Sequence, residues 1–324
     1  MAHAETAKKK ILICGATGFI GRNLTEHLSQ RDDLEIHAVH FKRPPYICPN
    51  VTWHNVDLRR LEELESIIKN VDVLIQAAAT TSGSGDIVNR PHIHVTDNAV
   101  INSLLLRAAF DHKVGHFIFF SCSIMHQPSD QPLGENDWDA NAEMSPAYFG
   151  AGWTKVYLEK MCEFFARQGE TKHTVIRHSN IYGPYDKFDL KRSHVFGASM
   201  TKCLTSTNGK VPVWGSGEEQ RDLLYVADLV DFVELAMDAQ DHPFELYNVG
   251  SGLGVRVRDL VAKIIALSGE ALEMDFDLTK PTIKTNICLD CSKAKKDLGW
   301  TAKTSLEKGI EKTIAWWRQN ISPE

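Results

Sequence analysis

Lys10-Ile11-Leu12-Ile13-Cys14-Gly15-Ala16-Thr17-Gly18-Phe19-Ile20-Gly21 is a short apolar run that passes directly into G-x-x-G-x-x-G. A strand buried on both faces reads as such a run. The glycines let the backbone turn tightly and approach a pyrophosphate. A following helix offers free N–H groups and a partial positive charge at its start. Gly15, Thr17, Gly18, Phe19, Ile20 and Gly21 are therefore predicted to hold the phosphates of a dinucleotide. Glycines alone would say little, because turns use them anyway. Here the apolar run precedes them, and Ile20, Leu24 and Leu28 follow at helical spacing.

Outward from this turn, strand and helix patterns alternate. Glu35–His40, Val71–Gln76, His116–Phe120 and Thr174–Arg177 read as strands. Phe19–Ser29, Leu61–Ile68, Thr96–Phe110 and Gly152–Gln168 read as helices. The alternation predicts an α/β fold: a Rossmann-type doubly wound parallel sheet with a smaller C-terminal substrate-binding lobe. Residues 1–182, with returning segments near 220–250, are assigned to the dinucleotide-binding domain. Residues 183–324 mainly form the lobe, interleaved with the sheet. A basic, Gly-containing region, Lys187–Glu219, precedes helices near Val226–Met237, Val257–Leu267 and Leu306–Gln319.

The end of the second strand reports on the cofactor. An acid there would accept from the 2′-hydroxyl of NAD, whereas basic residues suit the 2′-phosphate of NADP. The strand runs into His40-Phe41-Lys42-Arg43 without an acid. Lys42 and Arg43 thus favour NADP, with NAD as the alternative; the plainer reading makes them solvated loop charges.

The 324 residues are 43% hydrophobic and 24% charged, as in ordinary globular proteins. A formal net charge of −6 argues against a nucleic-acid or anionic-membrane partner. No apolar run approaches the roughly 18 residues of a membrane span, and the start has no signal-peptide core. Seven cysteines without a framework suggest reduced thiols and a cytoplasmic location. Cys288 and Cys291 form a lone C-x-x-C with no second pair, so no metal is expected.

Further motifs follow in order: Ser121-Cys122-Ser123-Ile124, Lys155, Asn180-Ile181-Tyr182-Gly183-Pro184, Ser193-His194-Val195, Val213-Trp214-Gly215-Ser216-Gly217, Arg221-Asp222-Leu223-Leu224-Tyr225-Val226, Asn248-Val249-Gly250 and Asp297-Leu298-Gly299-Trp300. With the glycine turn, this set resembles the extended short-chain dehydrogenases, the NAD-dependent epimerase/dehydratase group. Within it, the set is most similar to the GDP-L-fucose synthase branch, epimerase-reductases of GDP-4-keto-6-deoxymannose, with some likeness to GDP-mannose 3,5-epimerases.

The resemblance implies an NAD(P)-dependent enzyme acting at C4, and at C3/C5 in some members, of a nucleoside-diphosphate hexose, with a GDP-sugar favoured. It assigns Asp57, Leu58, Ala77, Ala78, Ala79 and His178 to the cofactor. Lys155 would hold the nicotinamide ribose, and Ser121 would bond the reacting oxygen. His194 matches one epimerisation acid-base group. Ser123 occupies the place of the other, where the branch has a Cys, and a hydroxyl is a poorer base than a thiolate. Asn180, Val195, Lys202, Trp214, Arg221 and Lys284 are assigned to the sugar nucleotide. A homodimer through the helices Thr96–Phe110 and Gly152–Gln168 is also implied.

One position breaks the pattern. The family's catalytic Tyr stands four residues before the Lys, and here Ala151 stands there. The resemblance therefore implies an impaired hydride step. The alternatives are a non-catalytic NAD(P)-binding sensor or regulator, and a Tyr-to-Ala replacement that traps substrate. Tyr148 would share the Lys155 face only if its helix began early, against Pro146 and Gly150. Cys122 reads first as a packed strand-end thiol.

Overall fold

The computed structural model describes residues 7–81, 89–280, 282 and 286–321. Seven parallel strands form one sheet in the order β10-β6-β5-β4-β1-β2-β3. They are β1 (Lys9–Cys14), β2 (Leu34–His40), β3 (Val51–Asn55), β4 (Val73–Gln76), β5 (His116–Phe120), β6 (Lys172–His178) and β10 (Phe244–Val249). Strand order reverses between β1 and β4, which pair through Ile13 and Ile75. Ligands of doubly wound sheets bind at such a switch point.

Side chains alternate across the sheet because a strand has a period of two. Ile11, Ile13, Ile75, Ile118 and Phe120 face α1 (Phe19–Leu28) and α6 (Val226–Ala239). Leu12, Cys14, Leu74, Phe117 and Phe119 face α2 (Leu61–Glu65), α3 (Thr96–Asp111) and α4 (Phe149–Gln168). Both faces are covered, which is why the central strands β1, β4 and β5 read as nearly continuous apolar runs instead of alternating.

The C-terminal part builds a second core from α5 (Val195–Leu204), α7 (Val257–Ser268) and α9 (Leu306–Asn320), including Phe196, Met200, Val261, Ile264, Ile314 and Trp317. Two small sheets support it. One holds β7 (Asn180–Tyr182), β9 (Gln220–Tyr225) and β11 (Gly254–Arg256); the other holds β8 (Lys210–Trp214) and β12 (Glu273–Asp277). The chain returns to the main sheet through α6 and β10, followed by α8 (Ser292–Leu298).

The structure differs from the sequence reading at α4. The helix starts at Phe149, not Gly152, with Tyr148 as its N-cap residue. Pro146 lies outside the helix. A Cβ on Gly150 would stand 2.9 Å from Val95, and one on Gly152 would collide with Met144. The two glycines therefore let the first turn pack closely. Gly152 N–H donates to Tyr148 O at 2.7 Å, which closes that turn.

A buried ion pair locks α4 to the sheet. Arg177 Nη2 donates to Glu159 Oε2 at 2.6 Å, and Arg177 Nε donates to Oε1 at 3.0 Å. The side chains are only 5% and 4% exposed. Breaking a buried pair strands a charge in low dielectric, which costs about 3–5 kcal/mol. Glu159→Ala should lower the unfolding free energy by about that amount in urea titrations. The double change Glu159→Leu with Arg177→Leu should lose less, since it strands neither charge.

Candidate active site

The C-terminal ends of β1, β4 and β5 open into a cavity of about 590 Å³. Its floor is the glycine turn: Gly15, Thr17, Gly18, Phe19 and Ile20 line it. Gly15 has φ +75°, and a Cβ there would lie 2.6 Å from the Ala78 backbone. Gly21 sits behind, where a Cβ would strike Gly15 O. The turn thus approaches Ala77, Ala78 and Ala79, which line the opposite wall. This close, side-chain-free cradle fits a pyrophosphate against the start of α1.

Lys42 and Arg43 stand at one end, together with Asp57 and Leu58. Arg43 Nη1 donates to Thr17 O at 2.9 Å, so this guanidinium bends back over the turn. Asp57 accepts from Arg59 Nε at 2.9 Å and Nη2 at 2.8 Å. The Arg59 hydrogen bond holds the Asp57 carboxyl below its ordinary range.

The residues that the resemblance assigned to the reaction and the sugar lie along the same cavity. Lys155, Ala151, Ser121, Cys122, Ser123, His178, Asn180, His194 and Arg221 all line the cavity. Lys155 Nζ donates to Phe120 O at 2.6 Å, and burial lowers its pKa. Ser121 turns from the cavity: its Oγ donates to Glu159 Oε1 at 2.5 Å. His178 Nδ1 lies 2.7 Å from Ser179 O, and burial pushes its pKa down to about 4. Burial likewise brings His194 to about 4, so both imidazoles are neutral at pH 7. Asn180 Nδ2 donates to Asp222 O at 3.1 Å, and Arg221 Nη1 donates to Gln220 O at 2.7 Å.

Three assigned residues are not brought here. Lys202 Nζ donates to Pro212 O at 2.9 Å and lies 5.3 Å from the Trp214 ring centroid, away from the cavity wall. Val195 also lies off that wall. Helix α5 and strand β8, which carry them, belong to the second lobe. Lys284 lies outside the described residues.

Others line the cavity although the sequence did not single them out. Asp186 is buried; its Oδ1 accepts from its neighbour's N–H at 2.6 Å and its Oδ2 meets no partner. Burial raises its pKa to about 7. Lys187 Nζ crosses the cleft to Thr81, donating to O at 2.8 Å and to Oγ1 at 2.7 Å. Their place just after Gly183-Pro184 was the available signal.

The buried histidines set a pH dependence. His173, His178 and His194 are depressed to about 4 in the fold, against about 6.5 in an unfolded chain. Between those values the unfolded state binds more protons, so stability rises with pH. His116 and His126 are depressed by burial as well, to about 3 and about 4. The raised Asp186, Glu135 and Asp222 oppose this. The five imidazoles outnumber the three carboxyls, so thermal melts should show Tm falling as pH drops from 6.5 toward 4.

Relatives share this architecture along nearly the whole chain. The GDP-L-colitose synthase of Yersinia pseudotuberculosis is 27% identical, covering 95% of this chain and 97% of its own. A putative GDP-L-fucose synthase 2 of Arabidopsis thaliana is 30% identical, covering 96% and 92%. The crystal structure of UDP-glucose 4-epimerase from Thermotoga maritima, with UDP-glucose, superposes with a TM-score of 0.85 at 26% identity, covering 97% and 100%. The profile of the NAD dependent epimerase/dehydratase family matches residues 11–250. With that profile spanning both the phosphate-binding cradle and the strands that close the cavity, the chain belongs to the NAD dependent epimerase/dehydratase family.

Proposed function

We propose that this enzyme uses a nicotinamide dinucleotide, NADP in preference to NAD, to act at C4 of a nucleoside-diphosphate hexose, a GDP-sugar being favoured. One observation carries the reading. A single cavity joins the phosphate cradle to a far wall holding Lys155, Asn180 and Arg221. The cradle at Gly15 suits the cofactor diphosphate, and Lys42 and Arg43 offer the charge that a 2′-phosphate needs. When bound, the nicotinamide supplies or accepts a hydride at the sugar carbon. Lys155, on the cavity wall, would hold a ribose hydroxyl. Arg221 presents a planar fork of donors suited to an oxygen-rich ligand. His194, neutral and lining the cavity, is the group available for proton exchange at a neighbouring sugar carbon. Similarity to GDP-L-colitose and GDP-L-fucose synthases favours guanine as the base.

Ala151 has a methyl group where a proton donor is required, so the hydride step is impaired unless another group gives the proton. A purely cofactor-sensing protein is the second reading, and Ala151 alone favours it. The seven cysteines are all free thiols, which suits a reducing cytosol.

Calorimetry with NADP, NAD and the GDP-, UDP-, CDP- and dTDP-linked sugars tests the proposal. NADP and one sugar nucleotide should bind. Lys42→Ala with Arg43→Ala should weaken NADP by about 1.5–3 kcal/mol per lost charged hydrogen bond and leave NAD unchanged. Arg221→Ala should weaken the sugar nucleotide by a similar amount, about 1.5–3 kcal/mol, and spare the cofactor. Binding of neither class would end the proposal.

The reading includes a twofold homodimer. On α4, Phe149, Trp153, Tyr157 and Phe164 are 59%, 37%, 51% and 55% exposed, and Val100 of α3 is exposed as well. These α4 positions recur on one helix face, an apolar stripe of the kind a second copy covers. Light scattering at micromolar concentration should give twice the chain mass, and Trp153→Glu with Tyr157→Glu should give monomer.

A further inference from the structure

Hydride transfer to a carbonyl carbon leaves charge on its oxygen, and a positioned acid must neutralise it. Position 151 cannot do so. Of the other titratable groups on the cavity wall, Lys155 Nζ is bonded to Phe120 O, Lys187 Nζ is bonded to Thr81 O, and Asp186 Oδ2 is buried. Ser121 is turned to Glu159. Burial raises the Cys122 thiol, and Ile124 N–H bonds it within its own turn. Two phenols line the cavity among the described residues, Tyr148 and Tyr185. Tyr185 is held elsewhere, its ring 3.8 Å from the Arg22 guanidinium and 4.9 Å from Trp316.

Tyr148 is differently placed. It caps α4, whose first turn holds Ala151 and whose second holds Lys155. Its backbone is pinned by Tyr148 N–H to Ser145 O at 2.9 Å and by Gly152 N–H to Tyr148 O at 2.7 Å. Its ring is half-buried in the wall that also holds Cys122 and Arg221. It stands seven positions before Lys155 instead of four, a spacing that required an early helix start, and α4 does begin at Phe149.

We propose that the Tyr148 phenol, beside Arg221, gives the proton to the oxygen of the sugar carbon that receives the hydride, replacing the phenol absent from position 151. The step rests on the function proposed above. A reduced nicotinamide gives a hydride to the carbonyl carbon and is oxidised. The C=O π pair takes the Tyr148 proton, and a CH–OH results. The phenolate left behind sits by the Arg221 guanidinium until water reprotonates it. Burial raises this phenol's pKa while Arg221 opposes the rise. The group is therefore protonated at rest, the form that the reduction step needs.

The test uses the full chain, NADPH and 4-keto nucleotide sugars. Tyr148→Phe should lower single-turnover reduction by about 10²–10⁴-fold while calorimetric affinities for both ligands stay within twofold, which also shows that the variant folds. Tyr157→Phe, which alters an exposed phenol of the same helix outside the cavity, should leave the rate unchanged. A readout free of turnover accompanies these: in ¹³Cζ-tyrosine NMR of the ligand-free protein, the resonance lost in Tyr148→Phe should titrate at higher pH in Arg221→Leu. A Tyr148→Phe variant as fast as the parent overturns the proposal. So does a hundredfold gain in Ala151→Tyr, or an unmoved Tyr148 titration. A parent chain that binds no nucleotide sugar and reduces none sinks the functional reading and the proposal with it. Turnover that survives Tyr148→Phe sinks the proposal alone.

Discussion

The grip of α4 on the end of β5 is the constraint on which the site depends. Lys155 and Glu159 are one turn apart on the same helix face. Lys155 Nζ takes Phe120 O, and Glu159 takes the hydroxyl of Ser121, the next residue. Arg177 of β6 completes the arrangement, donating twice to Glu159 and once to Glu135 O at 2.9 Å. Such a buried charge cluster is a poor source of net stability, because desolvation offsets most of the Coulomb attraction. Its effect is positional. Any shift of α4 along its axis would strand a charge, so the register of Tyr148, Ala151 and Lys155 against the sheet is fixed.

The second lobe is attached by contacts of another kind. The Arg22 guanidinium of α1 lies 4.1 Å from the Tyr46 ring and 3.8 Å from the Tyr185 ring, joining both sides of the cleft. Asn23 Nδ2 donates to Pro184 O at 3.0 Å, and Lys187 reaches Thr81. Asp222, by contrast, is a buried hub, accepting from Ser251 N–H at 2.8 Å and Leu289 N–H at 3.1 Å. Partly exposed polar contacts open at lower cost than packed cores. The joint across the cofactor cleft is therefore the place where the structure yields most easily, and the Asp222 side the place where it stays rigid.

The family's pattern is a set of positions, and chemistry is a set of distances. These separate at α4. A reading by position finds Ala151 and infers a lost acid. In space, two flanking glycines draw the first turn against Val95 and Met144, and a phenol from outside the expected spacing enters the same cavity wall. The same separation, in reverse, affects Ser121, whose sequence position suits the reacting oxygen while strand alternation aims its hydroxyl at Glu159.

The sequence by itself determined the parallel doubly wound sheet and the phosphate turn, because both are local. Apolar runs of strand length and Gly15-to-Gly21 leave few other conformations open, and the order of motifs identifies the family. It also singled out Lys155, Asn180, His194 and Arg221, which converge on one cavity. Only the tertiary structure decided where α4 begins, that Ser121 turns inward, that Lys202 and Trp214 pair with each other away from the cavity, and that Asp186, Lys187 and Tyr148 enter it. Those outcomes depend on contacts between residues far apart in the chain, such as Gly150 against Val95, Ser121 against Glu159 and Lys187 against Thr81. Side-chain direction at an element's end is set by such partners, and no spacing rule within one segment records them.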